Sequence, residues 1–168
     1  MSRSTILRSL AVVGVASLAL SACSSDSGSS DTSASPTAET TAAQGDGALK
    51  VGTLLPQTGS LAFLGPPEFA GVDLAAKEIN EAGGVLGQDI EVIIGDSGDT
   101  STNIASQTVD RQLSQGVDAI VGAASSSVSL TVIDKITSAG VQQVSPANTS
   151  PEFSTYPDKG LYARTAPP

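Results

Sequence analysis

From Leu49 onward the chain repeats one pattern: a short apolar run, a polar loop, then a segment whose apolar residues recur every three or four positions, closed by glycine. Few folds satisfy that alternation. Short buried strands separated by amphipathic helices pack as a parallel sheet with right-handed crossovers. The run "LKVGTLL", residues 49–55, predicts the first strand. "DIEVIIGD" (89–96), "DAIVGA" (118–123), "VQQVSP" (141–146) and "GLYART" (160–165) predict the others.

Between these runs lie the helical segments. "PEFAGVDLAAKEINEAGG" sets Phe69, Val72, Ala76 and Ile79 at helical spacing, with Pro67 at its start and Gly83-Gly84 at its end. "TSTNIASQTVDRQLSQG" turns Ile104, Ala105, Thr108, Val109 and Leu113 to one side and stops at Gly116. "SSSVSLTVIDKITSAG" turns Val132, Ile133, Ile136 and Ala139 inward and ends at Gly140. The fold class is therefore α/β, a doubly wound parallel sheet with helices on both faces.

In such a sheet, ligands bind beyond the carboxyl ends of the strands. Four loops should emerge there: "PQTGSLAFLG", "DSGDTST", "AASSSVS" and "SPANTSP". They are rich in hydroxyls and glycine and poor in charge. Ser126 and Ser127 fall at the expected start of the third helix, where free N–H groups and the helix dipole suit a carboxylate or phosphate. Helix capping alone would also explain a serine there. A run of three lets one serine cap while a neighbour faces a ligand. Ser145, Thr149 and free carbonyls stand in a loop stiffened by Pro146 and Pro151, although a plain turn has the same composition.

Composition removes several classes of function. With one cysteine and no histidine, the chain has no intramolecular disulfide, no Cys/His zinc site and no Ser-His or Cys-His pair. No phosphate-binding glycine motif follows a strand. Asp96 and Asp99 sit in a loop acidic enough that solvation is the expected state, so no metal site and no cofactor are assigned. A serine nucleophile in "AASSS" would need another base, and Lys135 lies about two and a half helical turns on. All seventeen acids follow Cys23, whereas Arg3 and Arg8 precede it, so from Cys23 on the net charge is −11 with six basic residues. Such a surface repels nucleic acid.

The first residues read as an address. Arg3 and Arg8 precede "LAVVGVASLAL", residues 10–20, which is too short to span a bilayer and suits a signal-peptide core. Leu20-Ser21-Ala22-Cys23 then resembles the lipobox of bacterial lipoproteins, in which the cysteine is acylated and becomes the first residue. Residues 1–22 are thus expected to be a lipoprotein signal peptide and Cys23 the lipidation site. Residues 24–47 contain no Val, Ile, Leu or aromatic residue, so 23–47 is expected to be a disordered tether with a reach of roughly 25–30 Å.

Residues 48–166 resemble the leucine/isoleucine/valine-type solute-binding proteins of ABC importers. The pieces that carry the resemblance are T-G-x-x-x-x-x-G (58–65), I-N-x-x-G-G-V-x-G (79–87) and S-P-A-x-T (145–149), in that order. The resemblance implies a type 1 periplasmic-binding-protein lobe over 48–168. It implies no enzymatic activity, and a lipid-anchored receptor on the extracytoplasmic face of the cell membrane. Its partners would be a small amino-acid-like solute, branched-chain by default, and an ABC permease. It implies that Ser126 and Thr149 hold the ligand's carboxylate, and that Thr149 and the Ala147 carbonyl hold part of its ammonium. Ser125 and Ser127 are the alternatives if the register shifts by one. Leu64 stands near a position where the family often has an aromatic against the ligand, with Phe63 adjacent. Such receptors have two lobes, so the chain is expected to be an N-terminal fragment lacking the second. Two other readings stay open: an extracellular ligand-sensing regulatory domain of the same fold, and a serine-dependent hydrolase.

Overall fold

The computed structural model describes residues 45–168. The expectations for the signal peptide, for Cys23 and for most of the tether fall on residues outside that range. The elements run β1 (Lys50–Leu54), a 3-10 turn (Ala62–Leu64), α1 (Gly65–Glu81), β2 (Glu91–Ile93), α2 (Ile104–Ser114), β3 (Ala119–Gly122), α3 (Ser126–Ser138), β4 (Gln142–Ser145), a second 3-10 turn (Pro151–Ser154) and β5 (Tyr162–Arg164). All five strands are parallel, in the order β2-β1-β3-β4-β5. The four loops after β1 to β4 therefore leave the sheet at one edge, as the alternation predicts.

The core lies between the sheet and the α2/α3 pair. Leu54 and Ile120 point from the strands into a cluster with Ala105, Val109, Val128, Val132 and Ile136, all buried. α1 lies on the other face, where Val72, Ala76 and Ile79 look onto Val51, Val92 and Val121 across an open groove. The predicted inward stripe of α1 is correctly placed but only partly buried, and Ile79 is 37% exposed. A single helix covers too little of a five-stranded sheet to seal that face.

Two local expectations change. Ala139 is exposed, because α3 ends at Ser138 and the chain turns away there. The second strand is shorter than "DIEVIIGD": β2 stops at Ile93, and the ladder resumes only as a bridge between Leu55 and Asp96. Gln112 fills that gap. It is fully buried, and its Nε2 donates to the carbonyls of Thr53 (2.7 Å) and Ile93 (3.1 Å). Gly52 makes room for it, since a Cβ there would stand 2.6 Å from Oε1 of Gln112. At the far end of α1, Asn80 accepts from the Ile90 N–H at 2.8 Å and ties the helix to β2, which is a structural role for the asparagine of the second motif.

The glycine that closes the first motif has a steric role. A Cβ on Gly65 would overlap the Pro56 carbonyl oxygen, so only glycine lets the start of α1 close onto the loop after β1. Gly71, six residues on, has nothing within 4 Å of where its Cβ would stand. Gly65→Ala is therefore expected to lower the denaturation midpoint. Gly71→Ala is expected to raise stability by about 0.5–1 kcal/mol, the helix cost of glycine relative to alanine. Paired urea melts check this, and shifts of the same sign would mean that α1 is not seated on that loop.

Candidate ligand site

The candidate site lies at the carboxyl edge of β1, β3 and β4. α3 begins at Ser126 directly after the loop that follows β3. Ser125 is its N-cap, with extended backbone and a hydroxyl that accepts from the Val128 N–H at 3.5 Å, at the long end of hydrogen-bond range. Ser126 and Ser127 occupy the first turn, and their own N–H groups find no acceptor among the described residues. Those two donors point out of the helix end, as the geometry of a first turn requires.

Ser126 does more than stand at a helix start. Its Oγ accepts from the backbone N–H of Thr149 at 3.1 Å and of Ser150 at 3.2 Å. Its oxygen is thus used by the loop after β4, and its own proton is what remains to offer a ligand. The side chain of Thr149 is exposed, and neither its hydroxyl nor the Ala147 carbonyl has a partner among the described residues. The structure therefore sets Ser126, with Ser127 next to it in the chain, against the loop that holds Ala147 and Thr149. It gives Ser125 to capping, as the run of serines allows. Leu64 and Phe63 stand in the loop after β1, 37% and 72% exposed, with no bond to Ser126 or Thr149. An exposed apolar pair at the same edge offers a wall to an apolar side chain. The arrangement supplies neutral donors for an anionic group, free acceptors for a cationic one and an apolar flank.

The two aspartates of the loop after β2 are not simply solvated. Asp96 Oδ1 accepts from the N–H groups of Gln57 (2.9 Å), Thr58 (3.2 Å) and Gly98 (2.8 Å), and Oδ2 accepts from the Thr58 hydroxyl (2.5 Å). Asp99 accepts from the Ser60 N–H at 3.0 Å and from Ser101. They staple the loop after β1 to the loop after β2. A Cβ on Gly59, whose φ is +85°, would meet the Asp99 carboxylate. Further down α3, Ser129 is fully buried, with its Oγ accepting from Ala123 N–H at 3.1 Å.

Partial burial opposes ionisation of Asp96, but the Thr58 hydroxyl and the three N–H donors outweigh it and hold the carboxyl below its ordinary value of 3.8. A depressed pKa stabilises the fold at every pH above the ordinary value, and that contribution is lost as pH falls through the depressed one. Thermal melts from pH 6 down to pH 2.5 are expected to fall more steeply for the unsubstituted chain than for Asp96→Asn, which keeps the shape without the charge. Parallel curves would show that the staple does not depend on ionisation.

A protein-family model described as periplasmic binding protein matches residues 48–163, and the chain belongs to that family. Its sheet and helices form one lobe of the type 1 fold. The Leu/Ile/Val-binding protein homolog 1 of Brucella abortus (strain 2308) is 31% identical over 113 residues, which are 67% of this chain and 29% of that protein. The leucine-, isoleucine-, valine-, threonine-, and alanine-binding protein of Pseudomonas aeruginosa is 32% identical over 108 residues, 64% of this chain and 28% of that one. Among solved structures, the branched-chain amino acid transporter substrate binding protein LivJ from Streptococcus pneumoniae, in complex with isoleucine, superposes with a TM-score of 0.61 and 34% identity, over 70% of this chain and 33% of that one. The leucine binding protein LivK from Thermotoga maritima gives 0.59 and 26%, over 69% and 32%. The chain spans less than a third of the length of these proteins.

Proposed function

We propose that this chain is the carboxylate-binding lobe of an extracytoplasmic solute receptor of an ABC importer, with branched-chain amino acids as its first-choice ligands. The observation that carries the reading is the set formed by the Ser126 hydroxyl, the free N–H groups at the start of α3, the Thr149 hydroxyl and the Ala147 carbonyl, all at one sheet edge. Neutral donors at a helix end receive a carboxylate without burying a counter-charge. A free carbonyl and hydroxyl beside them receive an ammonium. Phe63 and Leu64 add apolar surface for an aliphatic side chain. The names of the similar proteins support the amino-acid class. In this reading Cys23 carries the lipid anchor, residues 24–47 tether the lobe, and the partner is a membrane permease. Nothing in the set activates a nucleophile, which favours binding over hydrolysis.

The test is an amide-shift titration of the chain with L-leucine, with isopentylamine (no carboxylate) and with 4-methylpentanoate (no ammonium). Saturable shifts at Ser126, Ser127 and Thr149 are expected with L-leucine, weaker ones with 4-methylpentanoate, and none at Ser126 or Ser127 with the amine. Equal responses to leucine and to the amine would reject the assignment of the helix end to a carboxylate.

A further inference from the structure

We infer that Asn148 is the positioning residue of this site, holding the loop after β4 so that the Ala147 carbonyl and the Thr149 hydroxyl stand beside Ser126; the inference rests on the amino-acid-binding reading above. Asn148 lies in sequence between the two residues that face the ligand edge, yet it is itself fully buried. Its Nδ2 donates to the carbonyls of Ala123 and Ala124, both at 2.9 Å, in the loop after β3. Its Oδ1 accepts from the Tyr162 hydroxyl of β5 at 2.8 Å. Its backbone N–H donates to Ser145 Oγ at 3.0 Å, and that hydroxyl in turn donates to the Ala123 carbonyl at 2.7 Å.

One planar amide thus joins the ends of β3, β4 and β5. It uses both of its hydrogens and its oxygen, and no other side chain offers that set at that length. Aspartate lacks the donors, glutamine is one methylene longer, and leucine would leave the Ala124 carbonyl and the Tyr162 hydroxyl without their partner in the interior, while the Ala123 carbonyl would keep the Ser145 hydroxyl. The amide also spans the two halves of the site. The loop after β3 leads into the carboxylate donors at the start of α3, and the loop after β4 carries the acceptors for the ammonium. The distance between those halves is set by Asn148, whose side chain touches no ligand. The second tie, from Ser126 Oγ to Thr149 and Ser150, is made by a residue that also faces the ligand.

Three variants of the whole chain test this: Asn148→Asp, Tyr162→Phe and, as a control of equal burial elsewhere in the sheet, Gln112→Leu. The readouts are hydrogen exchange at the Thr149 and Ser150 amides, measured against the amides of α2, and affinity for L-leucine. For Asn148→Asp, exchange at those two amides is expected to rise about tenfold relative to α2, and L-leucine affinity to fall about tenfold. Tyr162→Phe keeps the ring stacked on Phe153, at a centroid distance of 4.5 Å. It is expected to move both readouts the same way by about two- to fivefold, and it carries the decision if Asn148→Asp does not fold. Gln112→Leu is expected to lower the melting temperature and leave both readouts within about twofold. Unchanged exchange at Thr149 and Ser150 in the folded variants overturns the inference, and so does an equal response from Gln112→Leu. If the unsubstituted chain shows no saturable response to L-leucine, the amino-acid reading fails separately, and the exchange readout alone decides whether Asn148 holds the loop.

Discussion

Ser126→Ala is expected to weaken binding of L-leucine by about ten- to a hundredfold, the worth of a hydrogen bond to a charged group. Two losses combine. The Ser126 hydroxyl lies against the loop after β4, and its proton is the donor lost. Its oxygen also accepts from the Thr149 and Ser150 N–H groups, so its removal leaves two amides without their partner and loosens the loop that carries the ammonium's acceptors. The second loss distinguishes Ser126 from its neighbours. Ser127→Ala removes only an exposed side chain and keeps the backbone donor, so its effect is expected to stay within about threefold. Ser138→Ala, at the exposed end of the same helix, is expected to change nothing. Calorimetry on the three variants separates these cases. Equal small losses at Ser126 and Ser138 would mean that the serine serves only the helix.

The same serine shows how far the sequence could be read. Strand and helix periodicity placed the four loops at one edge, because strand order and parallel direction follow from alternation and crossover handedness rather than from any single contact. The position of Ser126 at a helix start followed from that. Its use as an acceptor did not, because the donors lie more than twenty residues away in a loop whose path depends on Asn148. Gln112 is the clearest miss. A glutamine reads as helix surface, although 105, 108, 109 and 112 form one stripe at helical spacing, and that stripe was the available signal. Its burial required Gly52 and Gly95 to leave a hollow, and those residues belong to other elements. The loop acids failed for a related reason. Acidity along the chain predicts solvation, whereas the N–H groups of a neighbouring loop had to arrive before Asp96 became a staple. The shallow seat of α1 lies at the same level: its apolar stripe was legible, and the depth of its burial depends on what else covers the sheet.

Cys23→Ala is expected to release most of the chain from the membrane fraction, into the medium or the periplasm, or to leave an uncleaved precursor. The size of that effect follows from charge. Stable anchoring takes two membrane signals, such as two acyl chains or one chain with a basic patch, because a single chain binds with a constant of only about 10⁴ M⁻¹. From Cys23 on, the chain has a net charge of −11, so anionic lipid headgroups repel it and no basic patch supplies a second signal. Among the described residues no helix is long and apolar enough to cross a membrane. In the proposed reading acyl chains at Cys23 carry the attachment, and removing their acceptor thiol removes it. Fractionation with mass spectrometry of the amino terminus reads the outcome directly. The unsubstituted chain is expected to begin at an acylated Cys23, and its membrane association to persist in high salt, since salt weakens electrostatic contacts and leaves acyl insertion intact. Membrane association that survives the substitution with the mature mass unchanged, or that is washed away by salt in the unsubstituted chain, would place the attachment elsewhere and turn Ser21-Ala22-Cys23 into an ordinary stretch of a secretory signal.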